Sequence, residues 1–428
     1  MIDIINDTSD NKKLNAILSR TTDFSEEQEK STREIVATVR KQGDRALLAY
    51  TKAFDGVEMT AADIRVSQTE IESAYKNADP KLIEIIEAAA ANIRKFHEAQ
   101  QQKSWFIEDG DGVVLGKRVL PLERVALLVP GASAPLFSTV LMAAIPAQIA
   151  GVPNICLATP PQADGSIHPA VLAAAHIVGI REVYKVFGAQ AVAALAYGTE
   201  TIPRVDKLVG PGNPYVQIAK KLVFGAVDID MVAGPSEIVV VADDTAQAKH
   251  IAGDLLSQAE HGSGFEASVC ITPSQNLAEQ VAKEVATQAA DLSHKEAIEN
   301  ALNRFGAIVV VNDLAEGIDL ANQIAPEHLE LIVAEPWAHL QSVRNAGAVF
   351  LGPASSEPVG DYYAGTNHIL PTAGAARFAS SVGVGTFIKT VSVVQYTEQR
   401  LQKTAGHIIA MAEAEGLDGH ANAIRQRL

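Results

Sequence analysis

The residues best suited to chemistry lie in the second half of the chain. In LLSQAEHGSG, residues 255–264, Gln258 and His261 are three apart, so a helix puts a carboxamide and an imidazole on one face. The stretch also reads as an ordinary helix end, its imidazole complementing the dipole and Gly262 lying just past the last turn. In IAPEHLELI, Glu327 and His328 stand side by side ahead of an apolar strand. Histidine is the usual proton-transfer residue at neutral pH, and a carboxylate beside it can activate water. An exposed Glu and a capping His fit the same local pattern. GDYYAGTNHILP presents Asp361 and His368 between glycines, and EGLDGH near the end presents Glu415 and His420. Gln258, His261, Asp361 and His420 together form a nitrogen and oxygen donor set suited to zinc or a similar divalent ion, with room for a chelating substrate. Spacing alone does not show that the four meet.

These residues need elements to carry them. The first hundred residues read as helices, with capping-box spacing at Ser25–Gln28 and Ser67–Glu70. SWFIE and VVLGKRVLPL, with Gly110 and Gly112 between them, read as a two-stranded element. From Val125 short apolar strands alternate with Ala-rich helical runs, and after Asp244 the alternation begins again with a long helix ending at His261. Such repetition predicts an α/β protein of two Rossmann-like lobes, parallel sheets covered by helices on both faces, at roughly 125–240 and 245–352. The early helices are expected to pack on the second. From Gly352 to Ser380 the chain reads as a long functional loop, and from about 398 as helix.

Open α/β sheets bind ligands at the carboxyl ends of their strands. Small, polar loops follow several predicted strands: VPGASAPLFST, VFGAQA with Gln190, VGPGNPY with Asn213, and AGPSE with Ser236 and Glu237. Asn213 is equally a good N-cap, and Gly-Pro pairs make turns. No G-x-G-x-x-G follows a strand and no P-loop is present, so the usual Gly-rich fingerprints are lacking.

Composition excludes other classes. Of 428 residues, 47% are hydrophobic and 20% charged, the make-up of a globular protein long enough for two or three domains. The net charge of −16, without a basic run, argues against nucleic acid or an anionic membrane as partner. The N-terminus lacks the apolar core of a signal peptide, which leaves the cytoplasm as the expected location. Cys156 and Cys270 sit in apolar strand-like runs and read as small buried hydrophobes.

SAPLFSTVLMAAIPAQIAG, GAQAVAALAYGTE, GPGNPYV, DMVAGPSE, LLSQAEHG, APEHLEL, GDYYAGTNHILPT and the EGLDGH tail resemble, in order and across essentially the whole chain, the L-histidinol dehydrogenase family. The resemblance implies a zinc-dependent enzyme, one ion per subunit, that oxidises L-histidinol through a bound aldehyde to L-histidine with two NAD+, the last step of histidine biosynthesis. It places metal ligands at Gln258, His261, Asp361 and His420, and the acid–base pair at Glu327 and His328. Substrate contacts fall on Ser236, Gln258, His261, His328, Asp361, Glu415 and His420, and NAD contacts on Gln190 and Asn213. Many members have Tyr where this chain has Leu128, expected to support the cofactor by apolar contact, and Gly where it has Ala132. The implied layout is a dimer arm at 1–24, a larger lobe of 25–128 and 242–382, a smaller lobe of 129–241, and a helical arm at 383–428. That last arm would complete the site of a partner subunit in a homodimer. A related zinc and NAD dehydrogenase of another amino- or sulfo-alcohol, a zinc hydrolase and a two-lobed binding protein are the competing readings.

Overall fold

The structure is a computed structural model that describes residues 2–9, 11–131 and 135–428. Ala132 lies outside the described residues. The chain opens with strand β1 (Asp3–Ile5) and helix α1 (Lys12–Leu18). Four helices follow: α2 (Glu26–Gln42), α3 (Asp44–Asp55), α4 (Gln68–Asn77) and α5 (Pro80–Glu98). Ser25 and Ser67 close the expected capping boxes on α2 and α4. Then come β2 (Trp105–Asp109) and β3 (Val113–Pro121).

The first alternating set is β4 (Arg124–Leu128), α6 (Phe137–Ala150), β5 (Asn154–Ala158), α7 (Pro169–Ile177) and β6 (Glu182–Tyr184). It continues through α8 (Gly188–Tyr197), β7 (Lys207–Val209), α9 (Pro214–Val223) and β8 (Asp228–Ile229). These strands form a five-stranded parallel sheet in the order β6-β5-β4-β7-β8.

The second set runs β9 (Glu237–Ala242), α10 (Ala248–Ala259), β10 (Ala267–Thr272), α11 (Gln275–Ala289), α12 (Lys295–Phe305) and β11 (Gly306–Val310). After it come α13 (Leu314–Ile324), β12 (His328–Ile332), α14 (Pro336–His339), β13 (Ala348–Leu351) and α15 (Glu357–Tyr362). Its parallel sheet has six strands, β1-β11-β10-β9-β12-β13, with β1 added at the edge. The chain ends with β14 (Ile388–Gln395), α16 (Glu398–Ala414) and α17 (Asp418–Arg425).

The two parallel lobes are as the alternation predicts, and each sheet has a core on both faces. Val125, Leu127 and Val129 face one core, while Ala126 and Leu128 face the other. The second sheet divides its odd and even residues in the same way. Cys156 and Cys270 are buried and unpaired in these sheets, and burial pushes both thiols up to about 12, which leaves them inert. No helix among the described residues is long and apolar enough to cross a membrane.

The boundaries differ from the expected ones. Helices α2 to α5 do not pack on the second lobe. Their Ile35, Val36, Leu47, Ile71, Ile86 and Ile93 join the two cores of the first sheet. The reason is that α6 buries ten of its residues all round, and α7 and α8 are nearly as apolar. A helix apolar on every side needs a second layer over it, and the early helices supply that layer. Strand β4 belongs to the first lobe and β9 to the second, so the 25–128 and 129–241 segments are corrected at both ends. Residues 3–18 are not a free arm either, because β1 pairs with β11 and Leu14 and Ile17 enter the second core. The expected two-stranded element is a three-stranded antiparallel sheet, β14-β3-β2, so the segment after 383 is not all helical: a 3-10 turn at Val384–Phe387 leads into a strand.

The long segment after Gly352 contains the short helix α15 and is pinned to the first lobe at a specific defect. Pro146 lies inside α6 and has no N–H to give Met142, four residues back. The freed Met142 carbonyl accepts instead from Asn367 Nδ2 at 2.6 Å. Next to it, His368 Nε2 meets Thr139 Oγ1 of the same helix at 3.1 Å.

Candidate active site

The titratable groups stand on the amino edge of the second sheet. Glu327 precedes β12, His328 opens it, and Ser236 precedes β9, which opens with Glu237. Helix α10 delivers Gln258 and His261 just ahead of β10. The first lobe does carry Gln190 and Asn213 beyond the carboxyl ends of its strands, Gln190 in the first turn of α8 after β6 and Asn213 on the loop after β7. For the second lobe the expected strand end is corrected to the opposite one. The chain leaves the first sheet at its carboxyl edge and enters the second at its amino edge, through residues 230–236, which brings these two edges together.

Both members of the Glu327–His328 pair point inward and are buried. The head of the neighbouring strand holds them. The backbone N–H of Glu237 donates to Glu327 Oε2 at 3.1 Å, and His328 Nδ1 lies 3.1 Å from the Glu237 carbonyl. A carbonyl only accepts, so Nδ1 carries the hydrogen and Nε2 is the reactive nitrogen. Nε2 lies 3.5 Å from Asp361 Oδ1. The Glu237 carboxylate is itself buried and pairs with Arg20 Nη1 at 3.0 Å, and Arg20 also donates to the Phe265 carbonyl at 2.8 Å.

Asp361 is brought in by α15, which begins with Glu357. The Glu357 backbone N–H donates to Glu330 Oε1 of β12 at 2.7 Å, and its carboxylate accepts from Ser257 Oγ at 2.9 Å. Glu357, Asp361 and His328 place ligand atoms within 4.8 Å of one another. At the other end of the segment His368 Nδ1 lies 3.0 Å from the Asp361 carbonyl.

Burial dominates the electrostatics. It pushes Glu327 up to about 7 against the pull of His328, and Glu357 up to about 8 with help from Asp361. For His328 burial acts downward, but the carboxylates of Glu327 and Asp361 outweigh it and hold the imidazole up at about 10. Burial also works against ionised Asp361, yet the His328 imidazolium 3.5 Å away leaves it lowered. Burial lowers both His261 and His368 and so favours their neutral imidazoles, but His368 already spends its two nitrogens on Thr139 Oγ1 and the Asp361 carbonyl.

Gln258 tests the fit of a metal. Its side chain is 0% exposed, yet neither Oε1 nor Nε2 has a hydrogen-bond partner. A buried carboxamide without partners costs about 1–3 kcal/mol, and an ion accepting Oε1 would relieve part of that cost. The helix ends at Ala259, two residues before the expected His261, and Gly262 follows at φ +92°. The donor types fit zinc.

Not every expected residue converges. Glu415 and His420 are exposed on the terminal helices, which are held to the β2–β3 hairpin by Arg400 and Lys403 pairing with Asp109 and Asp111. Among the described residues no hydrogen bond or ion pair joins this arm to Gln258, His261 or Asp361. Leu128 is 1% exposed within the first core, so the apolar cofactor contact expected of its side chain is corrected: it presents no surface. Gln190 is buried and folds back over Gly188, where a Cβ would meet its Oε1 at 2.6 Å. Asn213 caps α9, accepting from the Val216 N–H at 3.1 Å.

Glu357, Glu330 and Arg20 were not singled out from sequence. The four-residue spacing of Glu357 and Asp361 carries a helical signal, hidden because their segment reads as loop. Nothing local marks Arg20, whose partner is 217 positions away.

A sequence profile described as histidinol dehydrogenase matches residues 18–428. The histidinol dehydrogenase of Geobacillus kaustophilus is 51% identical over 404 residues, covering 94% of this chain and 95% of its own length. Histidinol dehydrogenase 2 of Trichormus variabilis is 48% identical over 430 residues, covering 100% of this chain and 99% of its own. The crystal structure of histidinol dehydrogenase from Elizabethkingia anophelis superposes with a TM-score of 0.93 at 40% identity, over 100% of this chain and 98% of that one.

Proposed function

The chain belongs to the histidinol dehydrogenase family, and from that premise we propose that it oxidises L-histidinol through a bound aldehyde to L-histidine with two NAD+. The observation that carries this reading is the meeting of Glu327 and His328 with Asp361, beside a buried Gln258 whose amide has no partner.

Gln258, His261 and Asp361 would hold zinc in each subunit, with His420 supplied by a second copy of the chain. Bound there, zinc would supply positive charge and Lewis acidity toward the nitrogen donors of the substrate, and NAD+ held near Gln190 and Asn213 would be the hydride acceptor. Ser236, His261, Asp361, Glu415 and His420 then orient the substrate, so that the encounter becomes an intramolecular reaction.

His328 takes the hydroxyl proton of the alcohol at Nε2, its Nδ1 being committed to the Glu237 carbonyl. It becomes a base once the negative charge of Asp361 is engaged elsewhere, because that carboxylate helps hold it as an imidazolium. Glu327 keeps Oε2 on the Glu237 N–H and uses Oε1 to activate water for hydration of the aldehyde. In the hydration His328 returns its proton to the carbonyl oxygen of the aldehyde, which frees Nε2 to accept a proton again in the second oxidation.

Exposure of the arm supports sharing between subunits. Trp105, Phe106 and Ile107 on edge strand β2, Val391 and Val394 on β14, and Met411 and Leu417 beyond them leave an apolar surface uncovered on a single chain. Incubation with zinc, NAD+ and L-histidinol should release two NADH per substrate with histidine as product. Turnover without NAD+ would favour a hydrolase, and activity confined to another alcohol would favour a related dehydrogenase. Inactive H420A and H261A chains should regain activity when mixed as dimers; absence of complementation, with mixing demonstrated, removes the shared site.

A further inference from the structure

The loop after β7 is held by a buried ion pair that the chemistry above does not use. Lys220 on α9 is 0% exposed and pairs with Asp230, which follows β8, at 2.5 Å from Nζ to Oδ1. Both charges spend their remaining hydrogen bonds on backbone. Lys220 Nζ donates to the Gly210 carbonyl at 3.0 Å, and Asp230 Oδ2 accepts from the Gly210 N–H at 2.7 Å. Asp230 Oδ1 also accepts from the Met231 N–H at 2.7 Å.

The glycine so gripped has no alternative position. Gly210 has φ +128°, and a Cβ there would lie 2.2 Å from the carbonyl oxygen of Leu128 at the end of β4. One turn before Lys220 on the same helix, buried Gln217 makes a parallel tie. Its Nε2 donates to the Gly212 carbonyl at 3.3 Å and its Oε1 accepts from the Ala233 N–H at 2.9 Å. Lys220 and Gln217 therefore fasten the loop 210–213, which carries Asn213, to the crossover 230–236, which leads to Ser236.

Two desolvated charges are a poor way to add stability, since a well-packed apolar pair is often as good or better. What an ion pair adds is direction, because each charge demands a partner at a fixed place. We infer that Lys220 and Asp230, seconded by Gln217, are positioning residues that set the Gly210–Asn213 loop in the shape that receives the nicotinamide cofactor. The inference rests on the reading that this loop binds NAD. The device also fastens the loop to residues 230 and 233 of the crossover, short of the substrate residue Ser236.

The test uses the full-length, zinc-loaded protein and three variants. K220M/D230L removes both charges together and leaves neither buried alone, D230N keeps the shape of the side chain and an acceptor for Gly210, and N213A reports on the loop itself. NADH affinity is measured by fluorescence titration in the presence of L-histidine, with KM for each substrate and thermal stability alongside. K220M/D230L should weaken NADH binding and raise KM for NAD+ by about tenfold, with KM for L-histidinol unchanged, and D230N should move both in the same direction by less. Where K220M/D230L does not fold, D230N decides by the same titration. Normal NADH binding in a folded K220M/D230L or in D230N, with N213A impaired, overturns the positioning role alone. Normal NADH binding in N213A as well overturns the reading of the loop and the inference with it.

Discussion

The two lobes repeat one strand order, in which the first strand of each set lies at the centre between the second and the fourth. They use opposite ends of it. The first presents glycine loops at the carboxyl edge of its sheet, with Lys220 and Asp230 locked in a buried pair whose other contacts are all backbone. The second crowds Glu237, Glu327, His328, Glu357 and Asp361 at or near the amino edge, where burial moves several of them toward neutrality. Strand order therefore does not decide where chemistry goes. The crossover through 230–236 does, because it sets which two edges face each other. One lobe is built to hold a shape and the other to hold protons.

If that division is right, the largest loss follows removal of a proton carrier. H328A should lower both oxidations by about 10²–10⁴-fold, whereas E327Q should damage hydration of the aldehyde most and spare oxidation of a supplied hydrated aldehyde. Single-turnover measurement of each half-reaction checks this, and equal loss in both for E327Q would break the assignment.

A smaller effect is expected at Arg20, the cation that faces Glu237. R20M leaves that buried carboxylate unpaired, which should cost about 3–5 kcal/mol of stability. Loss of the positive charge should also raise the pKa of Glu327, moving the rising limb of the aldehyde-oxidation pH profile to higher pH. A profile unmoved in a stable R20M protein would make Arg20 purely structural.

The smallest effect concerns Glu357 in metal-free protein. Its pKa is raised from 4.5 to about 8, so the folded chain keeps a proton that the unfolded chain has lost. The stabilising contribution is therefore complete below about pH 4.5 and disappears as pH rises to about 8. E357Q should unfold about 1–3 °C higher than the parent at pH 8, with the difference shrinking toward pH 5. A difference that grows on acidification would contradict the burial argument.

Much of this was legible locally. The caps of Ser25 and Ser67, the alternating strands, the helix end at Gln258 and His261 and the adjacency of Glu327 and His328 depend on neighbours within a few residues. The packing of α2 to α5 had a sequence signal as well, since helices as apolar as α6 demand a second layer. The pairing of Arg20 with Glu237 had none, and neither did the capture of the Met142 carbonyl by Asn367, because each joins positions hundreds of residues apart.

Sequence by itself determined the residue types, the two parallel sheets and the family, all of which rest on short-range pattern and motif order. Only the tertiary structure decided that the titratable groups gather at the amino edge of the second sheet, that Glu357 joins His328 and Asp361, and that Lys220 and Asp230 grip Gly210. Those outcomes depend on which distant groups share a buried volume, and desolvation there sets both the pKa values and the need for partners.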